Sequence, residues 1–207
     1  VSVRCVYENG LEHLIDHTNA SRDLLYELNS GTWKSELLEL FGVPEEALPR
    51  IVASYGTVAR TDPDVFLRLD APISGIAGDQ QAALIGHAGF SADSVKCTYG
   101  TGSFLLLHTG EAIIHSEHGL LTTVALAHPD QSGPDACARR DFALEGSIFV
   151  TGAAVQWLRD GLGIIQESSE VEELARTVPD SGGVVFVPAP TGLGAPDWDT
   201  HARGLII

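Results

Sequence analysis

The alternation of apolar and polar positions is most informative between Ala71 and Gly86. The apolar stretch from Ala71 to Ile76 has the length of a short strand, and the run from Ala82 to Ile85 can continue a helix that opens at Asp79. Glycines between the two stretches permit a tight turn. The acidic Asp79 stands where a helix would begin, so the pattern predicts a strand, a turn and a helix with Asp79 as its N-cap.

Helical spacing and glycine or proline boundaries predict further elements on both sides of this unit. Trp33 to Phe41 has the pattern of a helix that ends at Gly42, and Pro44 to Pro49 begins a second short helix. The strands Val95 to Tyr99 and Ser103 to His108 are expected to be joined by a glycine-rich turn. We further expect an irregular stretch at 55–70, extended segments in 112–128, a polar loop at 129–140, a strand at 142–146 running into a helix at 147–159, an acidic helix at 167–177 and a buried strand at 182–188.

Charge and cysteine content narrow the class of protein. Twelve basic and 28 acidic residues give a net charge of -16 over 207 residues, which argues against nucleic acid and anionic membranes as partners. Because lysine is scarce, a phosphate would have to be held by backbone amides, helix N-termini and a metal ion. Cys5, Cys97 and Cys137 are widely spaced, so neither a disulfide framework nor a zinc site is expected. With no membrane-length apolar run and no leader pattern, we expect a soluble cytoplasmic protein.

Asp79 and Gln80 are the first candidate site residues. A carboxylate at a strand-to-helix corner, an adjacent amide that can donate and accept, and small neighbouring residues together suit a hydroxylated small molecule. From the pattern alone, a helix N-cap with no further role is an equally good interpretation.

Two further segments could contact a phosphorylated ligand. The turn Gly100, Thr101 and Gly102 exposes backbone amides and one hydroxyl, as a polyphosphate requires, although the same residues also form ordinary hairpin turns. Gly152 and Gln156 lie four apart on one helical face, where a glycine lets a flat ring or phosphate approach. The alternative is a close helix contact at Gly152 and a solvated Gln156.

Other polar clusters have simpler interpretations. His108, His115, His118 and His128 show no helical pair of metal-ligand spacing, so surface histidines are favoured over a metal site. Asp16, Asn19 and Ser21 could cap a helix or bind a ligand, and capping is the commoner use of such residues.

Several of these segments together resemble the glycerol kinases of the FGGY family of carbohydrate kinases. The similarity is strongest at Ile73 to Leu84 and continues at Thr18 to Arg22, Tyr99 to Phe104 and Gly152 to Asp160, with a further match after Thr191. The resemblance runs from about Asp16 to Gly204. It implies an α/β fold of the actin-like, ribonuclease-H-like ATPase class, in which residues 1–86 belong to the N-terminal substrate domain and residues 87–207 to the C-terminal nucleotide domain.

The resemblance also implies an activity, namely ATP-dependent phosphorylation of glycerol to glycerol 3-phosphate with Mg²⁺. Asp79 would be the catalytic residue and would bind substrate together with Gln80. Gly100, Thr101, Gly102, Gly152 and Gln156 would contact ATP, and no metal ligand is assigned. A carboxylate is far less basic than an alkoxide, so Asp79 is expected to act mainly by positioning the hydroxyl.

Parts of the family pattern are absent from these 207 residues, including the amino-terminal phosphate loop and the later adenosine-binding motif. We therefore expect the chain to be a central portion of a kinase and inactive alone, with self-association as a dimer. Asp70 and Val65 depart from the residues through which some bacterial relatives are regulated, so neither control is expected here. Two alternatives stay open: a kinase for another polyol or a ketose, and a non-catalytic binding or assembly module.

Overall fold

The computed structural model describes residues 12–207, apart from the side chains of Pro134 and Asp135. Cys5 lies outside this range, and Cys97 and Cys137 are free thiols. The chain divides into two compact units. Unit 1 contains the described residues up to Lys96 together with 106–115 and 122–144, and unit 2 contains 97–105, 116–121 and 145–207.

Unit 1 begins with short, paired strands and short helices. The parallel pair β1 and β4 is in register with Leu14 opposite Arg50, and β5 pairs antiparallel with β6 across an irregular register. The elements in chain order are β1 (Leu14–Asp16), α1 (His17–Ala20), β2 (Tyr26–Glu27), β3 (Thr32–Trp33), α2 (Ser35–Phe41), a 3-10 turn (Glu45–Ala47), β4 (Arg50–Val52), β5 (Tyr55–Arg60), β6 (Pro72–Gly75) and α3 (Asp79–Gly86).

A four-stranded sheet follows, and its long strands contribute residues to both units. Its strands are β7 (Val95–Tyr99), β8 (Ser103–Gly110), β9 (Leu121–Asp130) and β10 (Gly133–Ile148), in the spatial order β7, β8, β10, β9. Gly133, at a φ of 123°, permits the tight connection between β9 and β10.

Helix α3 is fixed to the part of this sheet that belongs to unit 1. Leu84 is fully buried and packs with Leu106, Ala125 and Ala143, which come from β8, β9 and β10. Gln81, one turn earlier, is also buried, and its Nε2 donates to Thr123 Oγ1 at 3.3 Å and to the Val124 carbonyl at 3.2 Å. A leucine and an amide therefore hold the helix that begins at Asp79.

Unit 2 continues with α4 (Gly152–Asp160), α5 (Glu170–Arg176), β11 (Phe186–Val187) and β12 (Leu205–Ile206). The last two strands pair antiparallel, with Phe186 opposite Ile206. Trp157 of α4 stacks on Phe186 with ring centroids 5.7 Å apart. In the described part of the chain, no helix is long and apolar enough to cross a membrane.

The structure confirms several predicted elements and corrects others. The strand, turn and helix around Asp79, the hairpin of β7 and β8, and α2 ending at a left-handed Gly42 are confirmed. The irregular stretch expected at 55–70 is confirmed for residues 61–70 and was wrong for Tyr55–Arg60, which form β5 and pair with β6. The polar loop expected at 129–140 was wrong because residues from Gly133 onward extend β10. The helix expected from Ser147 begins at Gly152, and the strand expected at 182–188 is only β11, which is partly exposed.

Candidate functional site

Asp79 is the first residue of α3, and the N-cap position belongs to Gly78, so the predicted capping role of Asp79 was wrong. The carboxylate Oδ1 accepts the backbone N–H of Gln80 at 2.8 Å, and the side chain is exposed. An anionic group is stabilised at this end of a helix. Asp79 therefore presents a charged hydrogen-bond acceptor to solvent at a defined corner of unit 1.

A buried polar chain fixes the backbone next to Asp79. The N–H of Gly78 donates to Thr18 Oγ1 at 2.8 Å, and that hydroxyl donates to Asp16 Oδ1 at 3.0 Å. Asp16 is fully buried and caps α1, accepting the N–H groups of Thr18 and Asn19. The capping interpretation of Asp16 is thus confirmed. Through Thr18, the capping carboxylate of Asp16 also holds Gly78, in the turn before Asp79.

Ser54 extends this chain to the strands on either side. Its hydroxyl donates to Asp16 Oδ2 at 2.7 Å and accepts the N–H of Ala127 at 3.1 Å. The Ser54 carbonyl accepts the N–H of Ile76, which follows β6, at 3.1 Å. Ile76 and Gly78, which lead into Asp79, are therefore hydrogen-bonded to Ser54 and Thr18, and both of these residues donate to the buried Asp16 carboxylate.

Gln80 has a partner that the sequence interpretation missed. Lys96, on β7, is 4% exposed and donates from Nζ to the Gln80 side-chain oxygen. The chain contains only two lysines, so a lysine within the predicted strand Val95 to Tyr99 was the available signal. Lysine is almost never fully buried without a partner.

In unit 2, the Gly100 to Gly102 turn is bound to the start of α4 through its carbonyl groups. The Gly100 carbonyl accepts the N–H of Gly152 at 2.9 Å, and the Thr101 carbonyl accepts the N–H groups of Thr151 at 2.9 Å and Ala153 at 3.1 Å. The turn and the helix that carries Gln156 are consequently joined by three backbone hydrogen bonds. The first amides of α4 are already used, so this helix end is not open to a phosphate.

Two glycines are required by this packing. A Cβ on Gly102 would lie 2.5 Å from the Ile148 carbonyl oxygen, and one on Gly152 would lie 2.5 Å from the Gly100 carbonyl oxygen. The close helix contact considered for Gly152 is therefore present. A Cβ on Gly100 would meet nothing nearer than 3.7 Å.

The turn still offers donors to a ligand. Thr101 is exposed and Gly102 is buried, and in the described part of the chain the N–H groups of Thr101 and Gly102 donate to no protein acceptor. Gln156 is also exposed. Backbone amides and a hydroxyl are the donors that a phosphate can use in the absence of lysine. These groups fit a phosphate, whereas residues 12–207 form no cluster of three or more His, Cys, Asp or Glu side chains suited to a metal ion.

One of the histidines expected at the surface is buried. His108 is 2% exposed, and burial lowers its pKa. Its Nδ1 accepts the N–H of Gly110, and its Nε2 lies 3.6 Å from Asp141 Oδ2. His128 Nε2 lies 3.1 Å from the same oxygen, and Arg139 reaches both side chains. The surface interpretation was therefore wrong for His108, which belongs to a buried polar group on β8, β9 and β10.

Two cavities among the described residues lie apart from Asp79, Gln80 and the Gly100 to Gly102 turn. In unit 1, a cavity of about 600 Å³ lies between His17, Trp33, Arg50 and Arg140. In unit 2, an apolar cavity of about 380 Å³ lies beside Ala153, Trp157 and Phe186. Neither of these two cavities includes Asp79, Gln80, Thr101 or Gln156, so the candidate groups of each unit are identified by their chemistry and hydrogen bonds.

Comparison with known proteins finds similarity to one protein family over nearly the whole chain. Residues 5–86 match the N-terminal domain and residues 95–207 the C-terminal domain of the FGGY family of carbohydrate kinases. The glycerol kinase of Gloeobacter violaceus is 56% identical over 198 residues, and glycerol kinase 2 of Thermotoga maritima is 51% identical. Each alignment covers 96% of this chain and 38% of the relative.

Solved structures of kinases are also similar to this chain. The crystal structure of Plasmodium falciparum glycerol kinase with ADP is 38% identical, with a TM-score of 0.77, and the match covers 94% of this chain and 37% of that one. A ligand-bound xylulose kinase from Lactobacillus acidophilus has a TM-score of 0.72 at 21% identity, covers 97% of this chain and 39% of that one, and shows the fold alone. The α/β, actin-like fold with parts of two domains is confirmed.

Proposed function

Because the chain belongs to the FGGY family of carbohydrate kinases, we propose that it carries the catalytic aspartate and part of the nucleotide site of an ATP-dependent glycerol kinase. The observation that supports this proposal most is the exposed Asp79 at the start of α3, anchored from behind by the buried Asp16, Thr18 and Gly78 chain. A carboxylate in a fixed place, open to a small ligand, suits a residue that orients a hydroxyl group.

In the proposed reaction, Asp79 accepts a hydrogen bond from a primary hydroxyl of glycerol. The hydroxyl oxygen forms a bond to the γ-phosphorus of ATP, the bond from that phosphorus to the bridging oxygen of ADP breaks, and Asp79 receives the hydroxyl proton. Because the transition state of such transfers is loose, orientation of the oxygen is the main contribution of Asp79. Gln80 holds a second hydroxyl of the same molecule.

For the nucleotide, we assign the phosphates to the turn of unit 2. The N–H groups of Thr101 and Gly102 and the Thr101 hydroxyl are the donors, and Gly100 allows close approach of the backbone. Gln156, with Gly152 one helical turn before it, is assigned to the nucleoside side. Mg²⁺ would neutralise phosphate charge. Residues 12–207 provide no multi-ligand site for the ion, so no step is assigned to it.

The chain spans 38% of the length of the curated relatives cited above. We therefore propose that turnover requires residues outside these 207, and that the chain alone releases no ADP in a glycerol-dependent manner. We place the activity in the cytoplasm, where ATP is available and where thiols such as Cys97 remain reduced.

A chimera tests this proposal. Residues 12–207 replace the corresponding segment of the Gloeobacter violaceus glycerol kinase, and glycerol-dependent ADP release is measured alongside the isolated chain. We expect activity with glycerol in the chimera only. Asp79→Asn should lower kcat by about 10² to 10⁴-fold. Asp70→Asn, which changes an exposed carboxylate paired with Arg60, is the matched control.

Two results would overturn parts of this proposal. A chimera that ignores glycerol and phosphorylates another polyol or a ketose would keep the family and refute the substrate. Retention of most of the turnover by Asp79→Asn would refute the role of Asp79.

A further inference from the structure

Lys96 is in an unusual place for a lysine. It is 4% exposed on β7, in a chain with only one other lysine, Lys34, which lies at the surface. Removing an ammonium group from water is costly, and such groups are retained where they are hydrogen-bonded. The bond from Lys96 Nζ to the side-chain oxygen of Gln80 therefore offsets part of the free-energy cost of burying this ammonium group.

This bond decides how the Gln80 amide is oriented. A glutamine side chain has one accepting oxygen and one NH₂ group with two donors, and the two ends can exchange by rotation. An ammonium group can only donate, so it must face the oxygen. In the opposite orientation, the NH₂ group of Gln80 and the ammonium group of Lys96, which are both donors, would face each other. Because the bond to Lys96 is charge-assisted, the oxygen stays toward β7 and the NH₂ group points elsewhere.

We propose that Lys96 is a positioning residue that makes Gln80 act only as a hydrogen-bond donor toward the substrate. This inference rests on the proposed function. Asp79, the preceding residue, acts only as an acceptor when ionised. The two consecutive side chains then select a polyol with one hydroxyl that donates to Asp79 and reacts, and another hydroxyl whose oxygen accepts from Gln80. A substrate that lacks the second hydroxyl leaves the Gln80 NH₂ group without this partner.

The test uses the active chimera with glycerol and two analogues that each lack one hydroxyl, 1,2-propanediol and 1,3-propanediol. The unsubstituted chimera should discriminate against at least one analogue in kcat/KM. In Lys96→Met, the KM for glycerol should rise by about 10-fold and the KM for ATP should stay unchanged. Discrimination against that analogue should shrink, because the Gln80 amide is then free to turn.

Two further variants separate positioning from general destabilisation. If Lys96 acts through Gln80, the double variant Lys96→Met and Gln80→Ala should be no worse with glycerol than Gln80→Ala alone. Lys34→Met, which removes the other lysine from a half-exposed pair with Glu27, should leave both KM values unchanged. Should Lys96→Met not fold, Lys96→Arg, which keeps the charge and relocates its donors, should show the same selective rise in the KM for glycerol.

Each outcome either supports or refutes the role of Lys96. A chimera inactive toward glycerol refutes the proposed function, and this inference with it. A chimera active toward glycerol, in which Lys96→Met keeps its KM and its discrimination, refutes the role of Lys96 alone. Equal increases in the KM for glycerol and for ATP, or additive effects in the double variant, would also refute it by showing general damage to the fold.

Discussion

Replacing Thr18 with valine isolates the contribution of one buried hydroxyl to the corner that carries Asp79. Valine has nearly the same shape as threonine, so packing around this fully buried position is retained and the hydroxyl is lost. The N–H of Gly78 then has no acceptor in place of Thr18 Oγ1, and Asp16 loses one of its donors.

The expected cost follows from these two bonds. A buried N–H without a partner costs about 1 to 3 kcal/mol, and a hydrogen bond to a charged group contributes about 1.5 to 3 kcal/mol. Because the two losses share one hydroxyl, we expect Thr18→Val to lower the free energy of unfolding by about 2 to 4 kcal/mol. Thr18→Ser keeps the hydroxyl and loses one methyl group, so it should cost about 1 kcal/mol.

Urea unfolding followed by far-UV circular dichroism gives the free-energy change, and hydrogen exchange of the Gly78 amide gives the local change. We expect Gly78 to lose protection in Thr18→Val and to keep it in Thr18→Ser. If valine were as well tolerated as serine, with Gly78 still protected, the buried chain would not be what holds the turn before Asp79.

Three further predictions concern other parts of the chain. Gly102→Ala should destabilise unit 2 and weaken ATP binding to the chimera, because the added Cβ would lie 2.5 Å from the Ile148 carbonyl oxygen. Gly100→Ala should lower stability only slightly, because its Cβ would have no neighbour nearer than 3.7 Å. Equal losses of thermal stability in the two variants would contradict this prediction. Burial, followed by the charge of Arg140, lowers the pKa of His17 from 6.5 to about 4. Between these values the unfolded chain binds a proton that the folded chain does not, so stability should fall by about 3 kcal/mol as the pH falls from 6.5 to 4. His17→Gln should flatten this dependence and the exposed His13→Gln should not; an unchanged slope in His17→Gln would refute the assignment. The exposed Leu205, Ile206 and Ile207 should make the 22.0 kDa chain dimerise in size-exclusion light scattering, with Ile206→Lys weakening association, whereas a monomer at all concentrations would exclude this.

Local signals were sufficient for the elements whose own residues specify them. Gly42 at the end of α2, the turn between β7 and β8, and the strand, turn and helix around Asp79 are all set by glycines and by apolar spacing within a few residues. The family resemblance was carried by the same short segments. For this reason the fold class could be predicted from the sequence before any long-range contact was known.

Long-range pairing overrode local pattern elsewhere. β10 includes polar residues that read as a loop, and they are extended because neighbouring strands bind their backbone. His108 is polar by type and buried by position, between strands that are distant in sequence. Neither result could be derived from spacing along the chain.

The sequence by itself determined which residues could do chemistry at the start of α3, since a carboxylate and an amide after small residues are local features. Only the tertiary structure decided how these groups are held. Thr18 reaches Gly78 across 60 positions, and Lys96 reaches Gln80 across 16. The physical reason is that a hydrogen bond between distant residues depends on how strands and helices pack, which no local spacing specifies.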